Sequence, residues 1–180
     1  MAFTIIENAA GYMPIANTDA GQTTPNSATI VPTLPMTIGM IVKAVDPTYG
    51  MGEFILLKGV ASTAVGSLVR YNRATYQTVL AANTAVQVMP VAVAMAATIG
   101  GTSTLFGWYQ ISGTASLSKT AVIVLPDVAV YLSATAGSVK ALASAGLQVV
   151  GCRSQLATTA SASATVLVTI NRPHLQSQVT

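Results

Sequence analysis

Short apolar runs separated by turn residues dominate the chain from Ile38 onward. In one of them Val91, Val93 and Met95 alternate with alanines, which is the two-residue period of a strand whose side chains face opposite sides in turn. Gly, Asn, Pro, Ser or Thr separates most neighbouring runs at intervals of roughly 8–15 residues, a spacing typical of antiparallel sheets. No segment sustains the apolar spacing of an amphipathic helix. The pattern predicts an all-β protein, a single antiparallel β-barrel or sandwich of jelly-roll-like arrangement.

The predicted strands are the runs at 40–45, 53–58, 68–71, 78–81, 91–95, 107–112, 121–125, 130–133, 138–142, 148–152 and 165–170. The second run is apolar on both of its faces. Phe54 and Leu56 share one face with Lys58, while Ile55 and Leu57 lie on the other. A strand of this kind is covered on both sides, by the core and by a second layer or subunit.

The first 37 residues differ in character from the rest. Pro14, Pro25, Pro32 and Pro35 disfavour helix and push their neighbours toward extended geometry. We therefore expect an extended N-terminal arm at 1–37, a β-domain at 38–172 and a short tail at 173–180. The apolar residues of the arm that need burial are Phe3, Ile5, Ile6, Tyr12 and Ile15. They are candidate interface residues if they pack on a neighbouring molecule, and packing on their own domain is the alternative.

Charge is sparse and scattered. Eight basic and five acidic residues give a net charge of +3, and the pI near 9.2 reflects a shortage of acids. The bases form no stripe of the kind that binds phosphates, so no nucleic-acid partner is expected. Arg70 and Arg73 are the closest pair and are candidate interface charges. Mean hydropathy is +0.61, but the longest apolar stretch, 88–97, is far shorter than the ~20 residues of a spanning helix, so no membrane partner is expected.

The residues that carry catalysis are nearly missing. A Ser-His-Asp triad needs a histidine base, and the one histidine, His174, follows Pro173 in the predicted tail. The one cysteine, Cys152, lies in a predicted strand and is expected to be a buried apolar residue. Asp46 begins a turn with Pro47 and caps its own backbone. We expect no enzyme activity, no metal site and no cofactor.

Two aromatic clusters stand out. The segment FGWYQISG at 106–113 holds the only tryptophan, Trp108, which as part of a strand lies on the face opposite Tyr109. A sugar site built on an exposed tryptophan would also need charged or amide neighbours, so core packing is the preferred interpretation. The second cluster runs from Arg70 through Tyr71 and Arg73 to Tyr76, and it reads as a strand end followed by a turn.

Three segments resemble structural proteins of tailed bacteriophages. They are GEFILLKGVAST at 52–63 with its continuation VGSLV at 65–69 and Tyr71-Asn72, PVAVAMA at 90–96, and FGWYQISG at 106–113. Taken in this order they look like small β-rich virion proteins, most of all head decoration or cement proteins. The resemblance covers 39–113 well and the C-terminal third loosely, and residues 1–30 lie outside it.

The resemblance implies a capsid decoration protein that binds across junctions between subunits of the major capsid protein and stabilises the shell. It implies self-association as a dimer or trimer, synthesis in a bacterial cytoplasm and a final position on the outer surface of the virion. One alternative is a tail or receptor-binding module that binds carbohydrate. Another is a depolymerase, which would have to bring Asp46, Glu53 or Asp127 together as a carboxylate pair.

Overall fold

The computed structural model describes residues 1–6, 15, 18–19, 37–84, 87–97, 106–120, 122–158 and 164–176. These residues contain twelve β-strands and no helix, and every pairing between two of the strands is antiparallel. The predicted all-β, antiparallel fold is confirmed.

The strands are β1 (Thr4–Ile5), β2 (Thr18–Asp19), β3 (Ile41–Asp46), β4 (Gly50–Lys58), β5 (Leu68–Tyr71), β6 (Thr78–Leu80), β7 (Val91–Ala94), β8 (Phe106–Ser118), β9 (Ala129–Leu132), β10 (Val139–Lys140), β11 (Gln148–Ser154) and β12 (Thr165–Leu175). Within the described residues they form one sheet, in the order β1-β3-β4-β8-β12-β11-β9-β10. A branch leaves β8 through β7 to β5 and β6, and β2 also pairs with β8. The fold is therefore organised around β8.

The long strand β8 changes partners near Gly113. Its first half pairs with β4 as far as Ser112, and Ser112–Ser118 pairs with β12. Gly113 has a φ of +98°, and a Cβ there would lie 2.4 Å from the backbone oxygen of Met51. The Nε2 of Gln110 donates to the backbone oxygens of Ser112 and Thr114, on either side of the glycine, at 3.1 and 2.8 Å. The glycine and the glutamine together fix the backbone where the two partners meet.

Most predicted strands overlap observed ones, and the largest differences concern three of them. The runs predicted at 107–112 and 165–170 extend into the longer β8 and β12, because pairing between these two strands continues beyond Gly113. β12 passes through Pro173 and His174, residues that the sequence suggested belong to a tail. The run predicted at 121–125 is no strand among its described residues. It forms one bridge, from Val124 to Thr158, because the chain turns at 126–127.

The buried apolar residues among those described form three clusters. Cluster A lies under β1, β3 and the first half of β8, and it contains Phe3, Ile15, Val42, Ala44, Phe54, Leu56, Phe106 and Trp108. Cluster B contains Ile55, Leu57, Val69, Ala92, Ala94, Tyr109 and Ile111. Cluster C joins the second half of β8 to β9–β12 and includes Leu117, Val130, Val149, Val168 and Ile170.

The apolar faces of β4 are both covered by the chain itself. Phe54 and Leu56 belong to cluster A, while Ile55 and Leu57 belong to cluster B. Of the two possibilities for the second cover, a layer or a subunit, the structure has the layer. Trp108 is fully buried in cluster A, as the core interpretation predicts.

Candidate functional site

A surface groove is lined by tyrosine, arginine and apolar side chains. It has a volume of about 420 Å³ and lies between the turn after β5 and the end of β12. We call it the Tyr-Arg groove, and its lining residues are Gly39, Ile41, Ile55, Tyr71, Arg73, Tyr76, Pro90, Val91, Ile111, Arg172 and Pro173.

One wall of the groove is the turn at 72–76. The Oδ1 of Asn72 accepts the backbone N–H groups of Ala74 and Thr75 at 2.7 and 3.2 Å, an arrangement that asparagine favours in turns. Tyr76 has a φ of +54°, and its backbone oxygen accepts the N–H of Lys58 in β4 at 3.0 Å. The Tyr76 ring lies against the backbone of Gly39, so closely that a Cβ there would be 2.3 Å from Cζ. Glycine at 39 is therefore required for this wall.

The opposite wall comes from the end of β12. The Nη2 of Arg172 lies 2.9 Å from Oε2 of Glu53 on β4, and its side chain remains 62% exposed. Pro173 follows it, and His174 forms a bridge with Pro90 beside the start of β7. The register of β12 thus places Arg172 in the same groove as Tyr71 and Arg73, which lie about a hundred residues earlier in the chain.

The charges of both walls act on Tyr71, which is half-buried at the end of β5. Burial raises the pKa of the Tyr71 hydroxyl, and the positive charges of Arg73 and Arg172 oppose that rise. Arg73 is exposed and has no ion-pair partner within the described part of the chain. Two guanidinium groups, those of Arg73 and Arg172, therefore line the groove, and the carboxylate of Glu53, which does not line it, contacts Arg172. The groove is an electropositive cleft with an apolar floor.

The two arginines predicted as interface charges have different settings. Arg70 is half-buried, and its Nη1 donates to Oε1 of Gln87 at 2.8 Å. Gln87 in turn donates to the backbone oxygen of Thr84 at 2.7 Å. Arg70 thus holds a loop of its own chain, while Arg73 is exposed in the groove. Arg172 was absent from the predicted set, because only the pairing of β12 reveals where it lies.

The predicted arm residues are mostly packed on their own chain. Phe3 is 9% exposed and meets Phe54 edge-on at a ring-centroid distance of 4.8 Å, and Ile15 is 3% exposed. Ile5 is half-buried in β1, which pairs with β3. Ile6 is 51% exposed. Tyr12 lies outside the described residues.

Asp46 caps the turn between β3 and β4 as predicted. Its Oδ1 accepts the N–H groups of Thr48 and Tyr49 at 2.8 and 3.0 Å, and its Oδ2 accepts the N–H of Ala2. Burial raises the pKa of Asp46, but these three hydrogen bonds and the positive charge of the N-terminus together outweigh it, so the pKa lies below its usual value. The carboxylate therefore ties the beginning of the chain to the hairpin.

The remaining reactive side chains are also placed. Cys152 is buried in β11, and burial raises the pKa of its thiol to about 12. Among the described residues, no three His, Cys, Asp or Glu side chains lie together as a metal site, and no helix is long and apolar enough to span a bilayer.

No protein-family model matches the sequence, and no curated protein matches it either.

Proposed function

We propose that this chain is a structural virion protein that decorates and cements the capsid of a tailed phage by binding across junctions between major capsid protein subunits. The observation that carries the proposal is the resemblance of the segments at 52–72, 90–96 and 106–113 to head decoration proteins. These segments include β4, β5, β7 and the first half of β8, which pair with one another. The resemblance therefore concerns the centre of the fold.

The placement of the ionisable groups favours a structural function over an enzymatic one. The three acids whose side chains are described each have a partner: Asp46 in its turn, Glu53 with Arg172 and Asp127 with Arg153. The thiol of Cys152 is buried and protonated at neutral pH, which makes it a poor nucleophile. We infer that these groups stabilise the fold.

Exposed apolar side chains support an assembly role. Ile123, Leu125 and Leu156 are 57%, 61% and 59% exposed on two adjoining segments. Thr158 and Val124 form a backbone bridge between these segments, and the hydroxyl of Ser154 donates to the backbone oxygen of Leu125 at 2.6 Å. Grouped apolar side chains on a surface are typical of protein contact sites.

The outer edge of β1 is where we propose self-association into a dimer or trimer. β1 is the last strand at its end of the described sheet, and Ile6, which follows it, is exposed. An unpaired strand edge can accept a strand from a neighbouring molecule. Ile6 and Tyr12 remain the arm residues proposed to contact that neighbour, together with the exposed side of Ile5. Phe3 and Ile15 are proposed to hold the arm on its own domain.

The deciding measurement is the copy number of the protein in particles purified from the organism that carries the gene, by quantitative mass spectrometry. A decoration protein repeats with the shell lattice, so we expect on the order of hundreds of copies per particle. A handful or a few dozen copies would contradict the proposal and favour a tail position. Absence from the particles would contradict both.

The Tyr-Arg groove favours a second candidate, a tail or receptor-binding module that binds carbohydrate. Tyrosine rings with neighbouring arginine and glutamate are side chains that sugar sites use. A glycan array would test it, and Arg172→Gln is the variant that should then lose the signal.

A further inference from the structure

We propose that the Tyr-Arg groove binds an extended protein segment that carries a carboxylate beside an aliphatic side chain. The partner that supplies this segment is the shell protein, and this part of the inference rests on the proposed function. The binding chemistry itself rests on the groove alone.

The charge of the groove matches an acidic ligand. Arg73 is exposed without an acceptor in the described residues, and Arg172 uses only its Nη2 on Glu53. The effect of both cations on the Tyr71 hydroxyl indicates that their charges reach the same part of the cleft. A carboxylate held there would receive charge-assisted hydrogen bonds from a planar guanidinium group, the strongest kind that a partly buried site offers.

The floor of the groove requires an apolar ligand body. Ile41 is 41% exposed and is the cross-strand partner of the buried Ile55, and the buried Ile111 lines the same cleft. Pro90 and Pro173 line the same cleft, and neither proline has a backbone N–H to donate. Hydroxyl groups of a sugar would lose their water over this floor without gaining partners, whereas an aliphatic side chain would gain burial.

The size of the groove fits a short segment of chain. About 420 Å³ is in the range of pockets that hold small molecules, so it admits a few side chains and excludes a folded domain. Short extended segments bind through alternate side chains that enter pockets. The combination of charge, floor and size favours an acidic peptide over an acidic sugar.

The probe is a short fluorescent peptide of alternating glutamate and leucine with blocked ends, and its matched control has glutamine in place of glutamate. Fluorescence anisotropy would be measured for the full chain and for the variants Arg73→Gln, Arg172→Gln and Arg153→Gln. Arg153 is the control because it is also exposed and paired with a carboxylate, Asp127, yet it does not line the groove.

We expect the acidic peptide to bind and the glutamine peptide to bind at least about tenfold more weakly, since a charge-assisted contact is lost. Arg73→Gln and Arg172→Gln should each weaken the acidic peptide by about tenfold, and Arg153→Gln should leave it unchanged. Melting temperatures would verify that all variants fold. Equal affinity in all four proteins, equal affinity for both peptides, or no binding of the acidic peptide overturns the inference.

Two further measurements separate this inference from the proposed function. Binding of oligogalacturonate that depends on the arginines, without binding of the peptide, would overturn the inference in favour of the receptor-binding alternative. Particle occupancy would be compared between the full chain and Arg73→Gln. The protein could bind the peptide through its arginines and yet be absent from particles. That result would support the proposed binding chemistry of the groove and refute the decoration function. Equal occupancy of both proteins refutes the shell protein as the partner of the groove.

Discussion

Trp108 is the largest fully buried side chain among the described residues, and it belongs to cluster A. Trp108→Ala removes its packing and leaves a cavity, so we expect a loss of roughly 3–5 kcal/mol in the free energy of unfolding. Chemical denaturation monitored by far-UV circular dichroism would measure it. A variant that unfolds like the parent but no longer binds its ligand would show that Trp108 recognises the ligand, which favours the receptor-binding alternative.

Gly113 and Gly50 form a matched pair for testing the backbone of β8. Both have a left-handed φ, +98° and +75°, so alanine is strained at either position. Around Gly50 there is nothing within 4 Å of an added Cβ, whereas at Gly113 the Cβ would meet the backbone oxygen of Met51. We expect Gly50→Ala to cost about 1 kcal/mol and Gly113→Ala at least about 2 kcal/mol more, by denaturant titration. Similar costs at both positions would show that β8 can shift.

The sequence predicted those features of the strands that depend only on residues close together in the chain. The run predicted as a strand at 40–45 is observed as β3, although its sequence does not alternate apolar with polar residues. The apolar run of β4 predicted burial on both faces. The burial of Phe3 and Ile15 could not be predicted, because an apolar residue in a Pro-rich segment has no period that reveals its partner.

The same limit applies to the groove. The turn with Tyr71, Arg73 and Tyr76 was visible as an aromatic and basic cluster in the sequence. Arg172 lies in the groove because of the register of β12 on β8. Arg70 does not line the groove, and its side chain donates a hydrogen bond to Gln87. Register depends on long-range pairing, which a single sequence does not encode in its local pattern.

At the scale of the element, Asp46 controls the attachment of β1. Its carboxyl pKa is lower in the folded chain than in the unfolded chain, so its contribution to stability is complete above the unfolded value near 3.8. That contribution is lost as the pH falls through the lower folded value. Hydrogen exchange would follow it at the amide of Ile6, which donates to the backbone oxygen of Lys43 at 3.1 Å. We expect protection of this amide to fall in strong acid.

Asp46→Asn should produce the same loss at neutral pH. One amide oxygen can still accept from Thr48 and Tyr49, but the amide nitrogen cannot accept from Ala2. Asp127→Asn is the control, since Asp127 is 85% exposed in a surface pair with Arg153. Unchanged exchange at Ile6 in Asp46→Asn would show that β1 is held by its strand pairing and the packing of Phe3 alone.

At the scale of the whole molecule, buried thiol and phenol groups limit stability in alkali. Burial raises the pKa of the Cys152 thiol from 9.0 to about 12 and also raises the pKa values of Tyr109 and Tyr71. The unfolded chain therefore loses these protons first. For the thiol, the stabilising effect is complete below about pH 9 and declines as the pH rises toward 12, by at most about 1.4 kcal/mol per pH unit. The two tyrosines act in the same direction.

Thermal unfolding between pH 8 and pH 12 would measure this decline. This range covers the pKa of the thiol in the unfolded chain, 9.0, and in the folded chain, about 12. Cys152→Ala is the informative variant. It should be less stable at neutral pH because of the lost packing, yet its stability should fall less steeply with pH. An equally steep decline in the variant would show that the tyrosines or other groups account for the alkaline loss.

The position of β8 between β4 and β12 has a consequence for biosynthesis. While a ribosome is still making residues 119–164, β8 exists with one long edge for which the partner has not yet been translated. Contacts between distant segments form slowly, and an open strand edge attracts other chains in the meantime. Protease protection of stalled nascent chains should therefore rise only once β12 has left the exit tunnel. A protein whose central strand pairs with a strand translated much later completes its folding after translation. Its yield in a host cell therefore depends on chaperones and on expression rate as much as on its final stability.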